Sequence, residues 1–281
     1  MIQHLKGAYS VRQVCQALDC AVSTAYDEPV ACDEAQLVTA IEAVLMQFPY
    51  YGYRKIHKEV QRRGILIGEH RVRRLLRELG ISRAVGKLRV GTTDSNHAHP
   101  RSPNRIKGLT ISRPDPVWVA DITYIRLGHR FIYLAVILDA YTRAVRGWAL
   151  STSVDQQLTL ATLDMALENG VPFIFHADQG SQYACWSHTQ RLLCRGAIIS
   201  MSDSGQPTQN GLVERFMRTV KKQHIDYTEY DDFQDAYRQL KHWLEVVYMT
   251  QRIHQALDYV TPVEFEMAAL TKPRYPLLSP G

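Results

Sequence analysis

Three acids stand in this chain where acids are costly. Asp121 interrupts an apolar run in WVADITYI, and Asp178 directly follows another, PFIFH, within HADQGSQYA. Glu214 lies in SDSGQPTQNGLVERFMRTVKKQ, where a Gly/Pro/Ser loop turns into a helical pattern crowded with bases. A carboxylate inside a buried strand is unfavourable unless it is paired or coordinates a cation. Hard oxygen donors, few in number and leaving positions for water and phosphate, suit Mg²⁺ or Mn²⁺. Two such ions can activate an attacking oxygen and stabilise the leaving one in an in-line phosphoryl displacement. On that reading Asp121, Asp178 and Glu214 are at once metal ligands and catalytic residues. The bases beyond Glu214, Arg218 and Lys221 among them, then receive a nucleic-acid backbone. Lys221 lies two helical turns past Glu214 on the same face. The plainer alternative is a solvated helix face with i,i+4 ion pairs.

The two readings differ in what must surround Glu214. From Val117 onward VWVADITYIRL, FIYLAVILDAY and VRGWAL are rich in β-branched and aromatic residues and are separated by short turns, which predicts an antiparallel meander. SVDQQLTLATLDMALENG then reads as a helix, PFIFH as a short buried strand, SHTQRLLCRG as a helix and AIISM as a fifth strand before the long helix of Glu214. The order βββ-α-β-α-β-α predicts a ribonuclease H-like α/β fold: a mixed five-stranded sheet with helices on both faces. In that fold the first and fourth strands are neighbours, so Asp121 and Asp178 converge and the last helix packs beside them. Asp139 is either a fourth acid near the metals or a turn cap. His176 reads as a packed core histidine, and Trp118, Trp148 and Trp243 as core aromatics. Arg252 and His254 either order the C-terminal tail or touch DNA.

The front of the chain is different. Between Arg54 and Lys107 there are 15 Lys and Arg against 4 Asp and Glu, whereas from Ile111 onward there are 16 against 18. A basic module ahead of a near-neutral one fits a polyanion-binding domain joined to something else. SVRQVCQAL, with Ser10 as N-cap, forms a short helix, and VSTAY resembles half of a helix-turn-helix. Asp33 caps a next helix that Pro49 stops. YRKIHKEVQRRG and EHRVRRLLRELG then form two short helices closed by Gly64 and Gly80. In the second, Val72, Leu75, Leu76 and Leu79 face inward while Arg71, Arg73, Arg74 and Arg77 face out. This is either a helix-turn-helix with a recognition helix or a basic helical hairpin with no ligand. The predicted divisions are 1–30, a helical segment; 31–85, the helix-turn-helix domain; 86–112, a basic linker; 113–270, the catalytic domain; and 271–281, a tail. No apolar run reaches the ~18 residues of a membrane span and the start lacks a signal-peptide core, so a cytoplasmic protein is expected. Five cysteines without metal spacing read as reduced thiols.

With these stretches in view, the chain resembles the DDE transposases of the IS-three family of bacterial insertion sequences, within the retroviral-integrase superfamily. YGYRKIHKEV, RVRRLLRELGI, VWVADITYI, LDAYTRAVRGWAL, HADQGSQYA, QPTQNGLVERFMRTVKKQHID and RIHQALDYVTPVEFE carry the resemblance from Tyr50 to Glu266. Its sharpest element is the Asp-Asp-Glu pattern, with a base seven residues after the Glu. The chain departs from the common motifs at Ala177, Gln179, Met249 and Ile253. The resemblance implies a triad of Asp121, Asp178 and Glu214 holding two Mg²⁺ or Mn²⁺, with Lys221 contacting the element's end. It implies double-stranded DNA as substrate, strand cleavage followed by 3′-OH strand transfer, and a homo-oligomer working on DNA. In that family the product is often fused to an upstream-frame DNA-binding partner. No leucine-zipper heptads occur, so a dimer forms through another surface or a partner chain. The alternatives are a regulator that keeps the fold without the chemistry, and a nuclease that cuts without joining.

Overall fold

The computed structural model describes residues 10–17, 34–81, 102–203, 206–271 and 278–280. VSTAY, Asp33 and the greater part of the predicted linker lie outside them. The chain divides into two compact units, 1–81 and 82–281.

In the first unit α1 (Val11–Ala17) begins at Ser10, whose Oγ accepts from the Gln13 amide at 3.3 Å. Helices α2 (Glu34–Gln47), α3 (Tyr53–Arg62) and α4 (Glu69–Glu78) follow. Leu37, Ile41, Val44, Ile56, Val60, Val72, Leu75 and Leu76 are buried, as their helical spacing requires. Gly64 and Gly80 follow the ends of α3 and α4 with φ of 83° and 68°, the left-handed conformation glycine adopts without strain. Leu79, expected inside, is 37% exposed because it already lies at the C-cap of α4, where the helical stripe has run out.

The second unit is built on β1 (Val117–Leu127), β2 (Arg130–Asp139), β3 (Val145–Ser151), β4 (Ile174–Ala177) and β5 (Ile198–Met201). Their order is β3-β2-β1-β4-β5; the first three are antiparallel, and β4 runs parallel to β1 and β5. This is the predicted mixed sheet. Helices α5 (Gln156–Leu167) and α6 (Trp186–Leu193) connect the later strands. One face buries Trp118, Ala120, Ile137, Leu163 and Phe175 together. The other buries Val119, Ile125, Ile132, Leu134 and Val136 against Val213, Phe216, Met217 and Val220 of α7 (Gly211–Gln223). A helix α8 (Phe233–His242) runs into a π-helical stretch, Trp243–Gln251, and α9 (Pro262–Leu270) closes the unit with a Thr261/Glu264 capping box.

Helix α5 lies unusually close to β3. A Cβ added at Gly147 would come within 2.3 Å of the Thr162 carbonyl oxygen and 2.9 Å of the Ala166 backbone nitrogen. Both are backbone atoms that cannot turn aside. Gly147→Ala should therefore cost about 1–3 kcal/mol through overpacking, read as a lower midpoint in urea unfolding with an unchanged slope.

Residues 102–111, predicted as the end of a linker, are seated on this unit. Asn104 Nδ2 donates to Gln209 Oε1 at 2.7 Å and the Arg105 amide to Ser200 Oγ at 2.8 Å, while Ile106 and Leu109 pack on the core. Ile111 packs there too, and Leu109–Ile111 forms a short strand paired antiparallel with Leu278–Pro280, so sheet pairing as well as side-chain contacts holds this segment.

Candidate active site

Asp121 sits in the middle of β1, directly opposite Val136 of β2 and so on the α7 face of the sheet. Strand β4 pairs with β1 only at Val117–Val119. Past that point the β1 edge is open to whatever approaches from α7. Asp178 follows the last residue of β4, and the Gly180 amide donates to its Oδ1 at 3.1 Å. A Cβ at Gly180 would stand 3.0 Å from that same oxygen, so only glycine leaves the carboxylate its full room. Glu214 lies in the first turn of α7, where a negative charge also meets the positive end of the helix dipole.

The electrostatics show the convergence. Burial pushes the Asp121 carboxyl up to about 7, and the charges of Asp178 and then Glu214 push the same way; the Ile122 amide and Lys221 oppose them. The Ile122 amide donates to Asp121 Oδ1 at 2.8 Å. Among the described residues no three His, Cys, Asp or Glu side chains already stand within ligating range of one point. Asp178 and Glu214 nonetheless lie near enough for their charges to act on the Asp121 carboxyl, and the three are an all-oxygen, net negative set. Such a donor set fits hard divalent cations in its chemistry, because a cation would offset both the burial and the like charges that raise the Asp121 pKa.

Lys221 is half-buried, and burial lowers its pKa while Asp226 and Asp121 raise it. Its Nζ stands 4.1 Å from the centroid of the Tyr124 ring. Arg218 and Lys222 are exposed. In the first unit Arg73, Arg74 and Arg77 are exposed on α4 and Arg71 is partly covered. Arg74 is held by Glu34 and, at 3.8 Å, by Glu78, and Arg73 lies over Tyr53 at 5.2 Å. None of these contacts is buried, so phosphates can displace them at little cost.

The open assignments resolve locally. Asp139 is fully buried and accepts from the Tyr141 and Thr142 amides at 2.6 and 2.9 Å and from the Asp115 amide, with Arg146 3.4 Å away. It is a turn cap. His176 is buried between Ser200 Oγ at 2.8 Å and Ser202 Oγ at 3.1 Å, and burial lowers its pKa to about 4, so it holds β5 to β4 as a neutral ring. Arg252 is buried, with Nε donating to Gln223 Oε1 at 2.6 Å and Nη1 2.9 Å from His254 Nε2, which ties the segment after the π-helical stretch to the end of α7. Three of the four departures from the common motifs pack well, while the Oε1 of the fourth, Gln179, is buried without a hydrogen-bond donor. Ala177 lies in the apolar cluster beneath the sheet, Ile253 is fully buried, and Met249 Sδ accepts from the Val145 amide at 3.3 Å.

Sequence reasoning missed Asn210. Buried just before α7, it donates from Nδ2 to the Ala120 carbonyl at 3.0 Å, on the β1 edge that β4 leaves unpaired. One bond thus ties the helix of Glu214 to the strand of Asp121 at the residue beside it. The only signal available was an Asn before a helix, which reads equally well as an ordinary cap. Asn210→Ala leaves the buried Ala120 carbonyl without this donor. It should cost about 1–3 kcal/mol in unfolding measurements and slow the chain's reaction by more than that loss of folded protein explains.

Comparison with known proteins agrees with this architecture. The Integrase core domain family matches residues 111–207, and a second family of the same description matches 195–262; an HTH-like domain family matches 32–89. The chain is 32% identical over 219 residues to the "Insertion element IS600 uncharacterized 31 kDa protein" of Shigella sonnei, covering 76% of this chain and 80% of that one. It is 30% identical over 220 residues to the "Transposase for insertion sequence element IS904" of Lactococcus lactis, covering 77% and 87%. Among solved structures, a chain of the simian T-cell lymphotropic virus intasome aligns with a TM-score of 0.48 at 17% identity, over 78% of this chain and 72% of that one. With an HTH-like domain ahead of an integrase core, and 30–32% identity to insertion-element proteins along most of their length, the chain belongs to the family of insertion-sequence transposases.

Proposed function

We propose that the chain is the catalytic subunit of a DNA transposase, in which Asp121, Asp178 and Glu214 hold two Mg²⁺ or Mn²⁺ ions. When bound, the ions would supply Lewis-acid stabilisation for the attacking and leaving oxygens of a phosphodiester. The protein positions the DNA. Lys221 meets a phosphate beside the acids, Arg218 meets the backbone further along α7, and Arg71, Arg73, Arg74 and Arg77 of α4 bind the duplex of the element's end. In the first step water attacks a phosphodiester, breaking the bond to a 3′ oxygen and freeing a 3′-OH. In the second, that 3′-OH attacks another phosphodiester, forming one P–O bond as another breaks, so neither an external energy source nor a covalent enzyme intermediate is needed. The working form is an oligomer on DNA in the cytoplasm, alone or with an upstream-frame DNA-binding partner. The observation that supports this most directly is the crowding of Asp178 and Glu214 on a buried Asp121, which is unfavourable in the absence of cations.

The test is joining of labelled duplexes, carrying the DNA that flanks this chain's own reading frame, to a target plasmid with Mg²⁺ or Mn²⁺. Cleavage without joining would make it a nuclease, and binding without either would make it a regulator. Binding itself should be steeply salt-dependent through counterion release. Replacing Arg73 and Arg74 together by alanine should weaken it and flatten the log–log salt slope by up to about two units. An unchanged slope would return α3 and α4 to a hairpin without a ligand.

A further inference from the structure

The metal-side lysine leads outward along a strip of aromatic and basic side chains that the proposed mechanism does not use. Tyr124 pairs with Tyr133, and Arg126 with Phe131, across β1 and β2, so all four project from the same face of the hairpin, the one opposite Asp121. Lys221 covers one face of the Tyr124 ring. The Phe131 ring meets Tyr124 at right angles with centroids 5.5 Å apart, and Phe131 itself is 50% exposed. Arg126, His129 and Arg130 are exposed around the tip, where Gly128 turns the chain with φ of 57° and its carbonyl accepts from Arg126 Nε at 3.1 Å. A half-exposed aromatic ring, braced by a second ring and flanked by cations, is complementary to a flat, anionic ligand. By strand rise Arg126 lies roughly 17 Å along β1 from Asp121, the reach of a few nucleotides.

We propose that this hairpin face, with Phe131 as the stacking platform, Tyr124 as its support and Lys221, Arg126 and Arg130 as phosphate contacts, binds unpaired nucleotides adjoining the scissile phosphate. Base stacking on aromatic rings beside a basic track is how single-stranded DNA is held without sequence preference. The proposal rests on the reading of Asp121, Asp178 and Glu214 as the reacting centre, and Tyr124 acts as a positioning residue for both Lys221 and Phe131.

The experiment uses the full chain and two generic oligonucleotides of one duplex sequence, one blunt and one with a four-nucleotide unpaired dT tail bearing 2-aminopurine. Fluorescence anisotropy should show the tailed duplex bound about tenfold more tightly, within what one base–aromatic stack contributes. The 2-aminopurine emission should be quenched on binding. Phe131→Ala should abolish the preference and the quench while leaving blunt-duplex affinity within about twofold; Phe131→Tyr should retain both. Because Phe131 is half exposed, the alanine variant should melt at an unchanged temperature. A wild-type chain with no preference for the tail, or a Phe131→Ala variant that keeps it, would overturn the proposal. So would a Phe131→Ala variant whose only change is a smaller sedimenting mass, since the face would then hold a second copy of the chain. Joining is scored separately. A chain that prefers tails through Phe131 yet joins nothing would sink the assignment of the reacting centre and leave the binding strip standing.

Discussion

Asp121→Asn, Asp178→Asn and Glu214→Gln should each lower cleavage and joining by at least about a thousandfold, roughly 4 kcal/mol in the barrier, with duplex affinity within a fewfold of the wild type. Each swap keeps the side-chain shape and removes one charge from the set gathered around Asp121. The same substitutions make a second readout that needs no activity. In metal-free buffer at pH 8 the native state carries Asp121 buried beside two other acids. Its folded pKa, about 7, lies above that of the unfolded chain. A carboxyl with a raised folded pKa destabilises the fold once the pH passes its unfolded value, because the unfolded chain ionises it more readily. Asp121→Asn should therefore unfold at a higher temperature than wild type in EDTA, since the rise of that pKa from the ordinary carboxylate value corresponds to at most about 4 kcal/mol of lost stability. Adding Mg²⁺ or Mn²⁺ should raise the wild-type melting temperature, through binding to the folded form alone, and leave the variant nearly unmoved. A wild type that melts at the same temperature with and without either ion would remove the metal assignment, whatever the activity data show.

Much of this site could be read from residue types, and the limits have physical causes. Asp121 was conspicuous because an acid in a β-branched run is expensive, and Asp178 because it ends a short buried run. The sheet followed from strand lengths, short turns and β-branched, apolar runs, which suit strands covered on both faces. What could not be read was set by contacts distant in sequence. Asn210 meets Ala120 across 90 positions, and no local pattern distinguishes it from a cap. Helical spacing puts Lys221 on the face of Glu214, yet its neighbour was not predictable. Tyr124 projects from the side of the sheet opposite Asp121, and a helix covering one face should not reach the other. It does so because β4 stops pairing at Val119, which leaves an edge that a long side chain can round. The π-helical turn at Trp243–Gln251 has no sequence signature of its own. It is held by tertiary contacts, including Tyr248 donating to the Arg143 carbonyl at 2.9 Å and Trp148 Nε1 donating to Glu245 at 3.0 Å.

Lys221→Ala separates the solvated-face reading of α7 from the catalytic one. Were Lys221 a surface ion-pair residue, its loss would change little, because exposed pairs contribute about 0–1 kcal/mol. Its half-burial, its place against an aromatic ring and the lowering of its pKa by burial support the catalytic reading, although Asp226 also acts on it. An ammonium on a tyrosine face is gripped at its stem and keeps donors for a phosphate, which fixes the position of the scissile bond relative to the acids. Positioning is much of what phosphoryl transfer requires, so Lys221→Ala should slow joining by at least about tenfold, roughly 1.4 kcal/mol in the barrier. The melting temperature should fall by little, since the lost cation–π contact at a half-exposed site contributes only about 0.5–1 kcal/mol. Lys222→Ala is the control: the same charge is lost from the next position, exposed and about 100° further round the helix. Lys221→Arg adds a second arm, because a guanidinium keeps the charge and the ring contact but presents a planar fork in place of a compact ammonium. Partial recovery with arginine and near-normal joining with Lys222→Ala would place the requirement at one point on α7. Equal losses at Lys221 and Lys222 would mean that only the summed positive charge of the helix matters, and the assignment of Lys221 to the phosphate would fail.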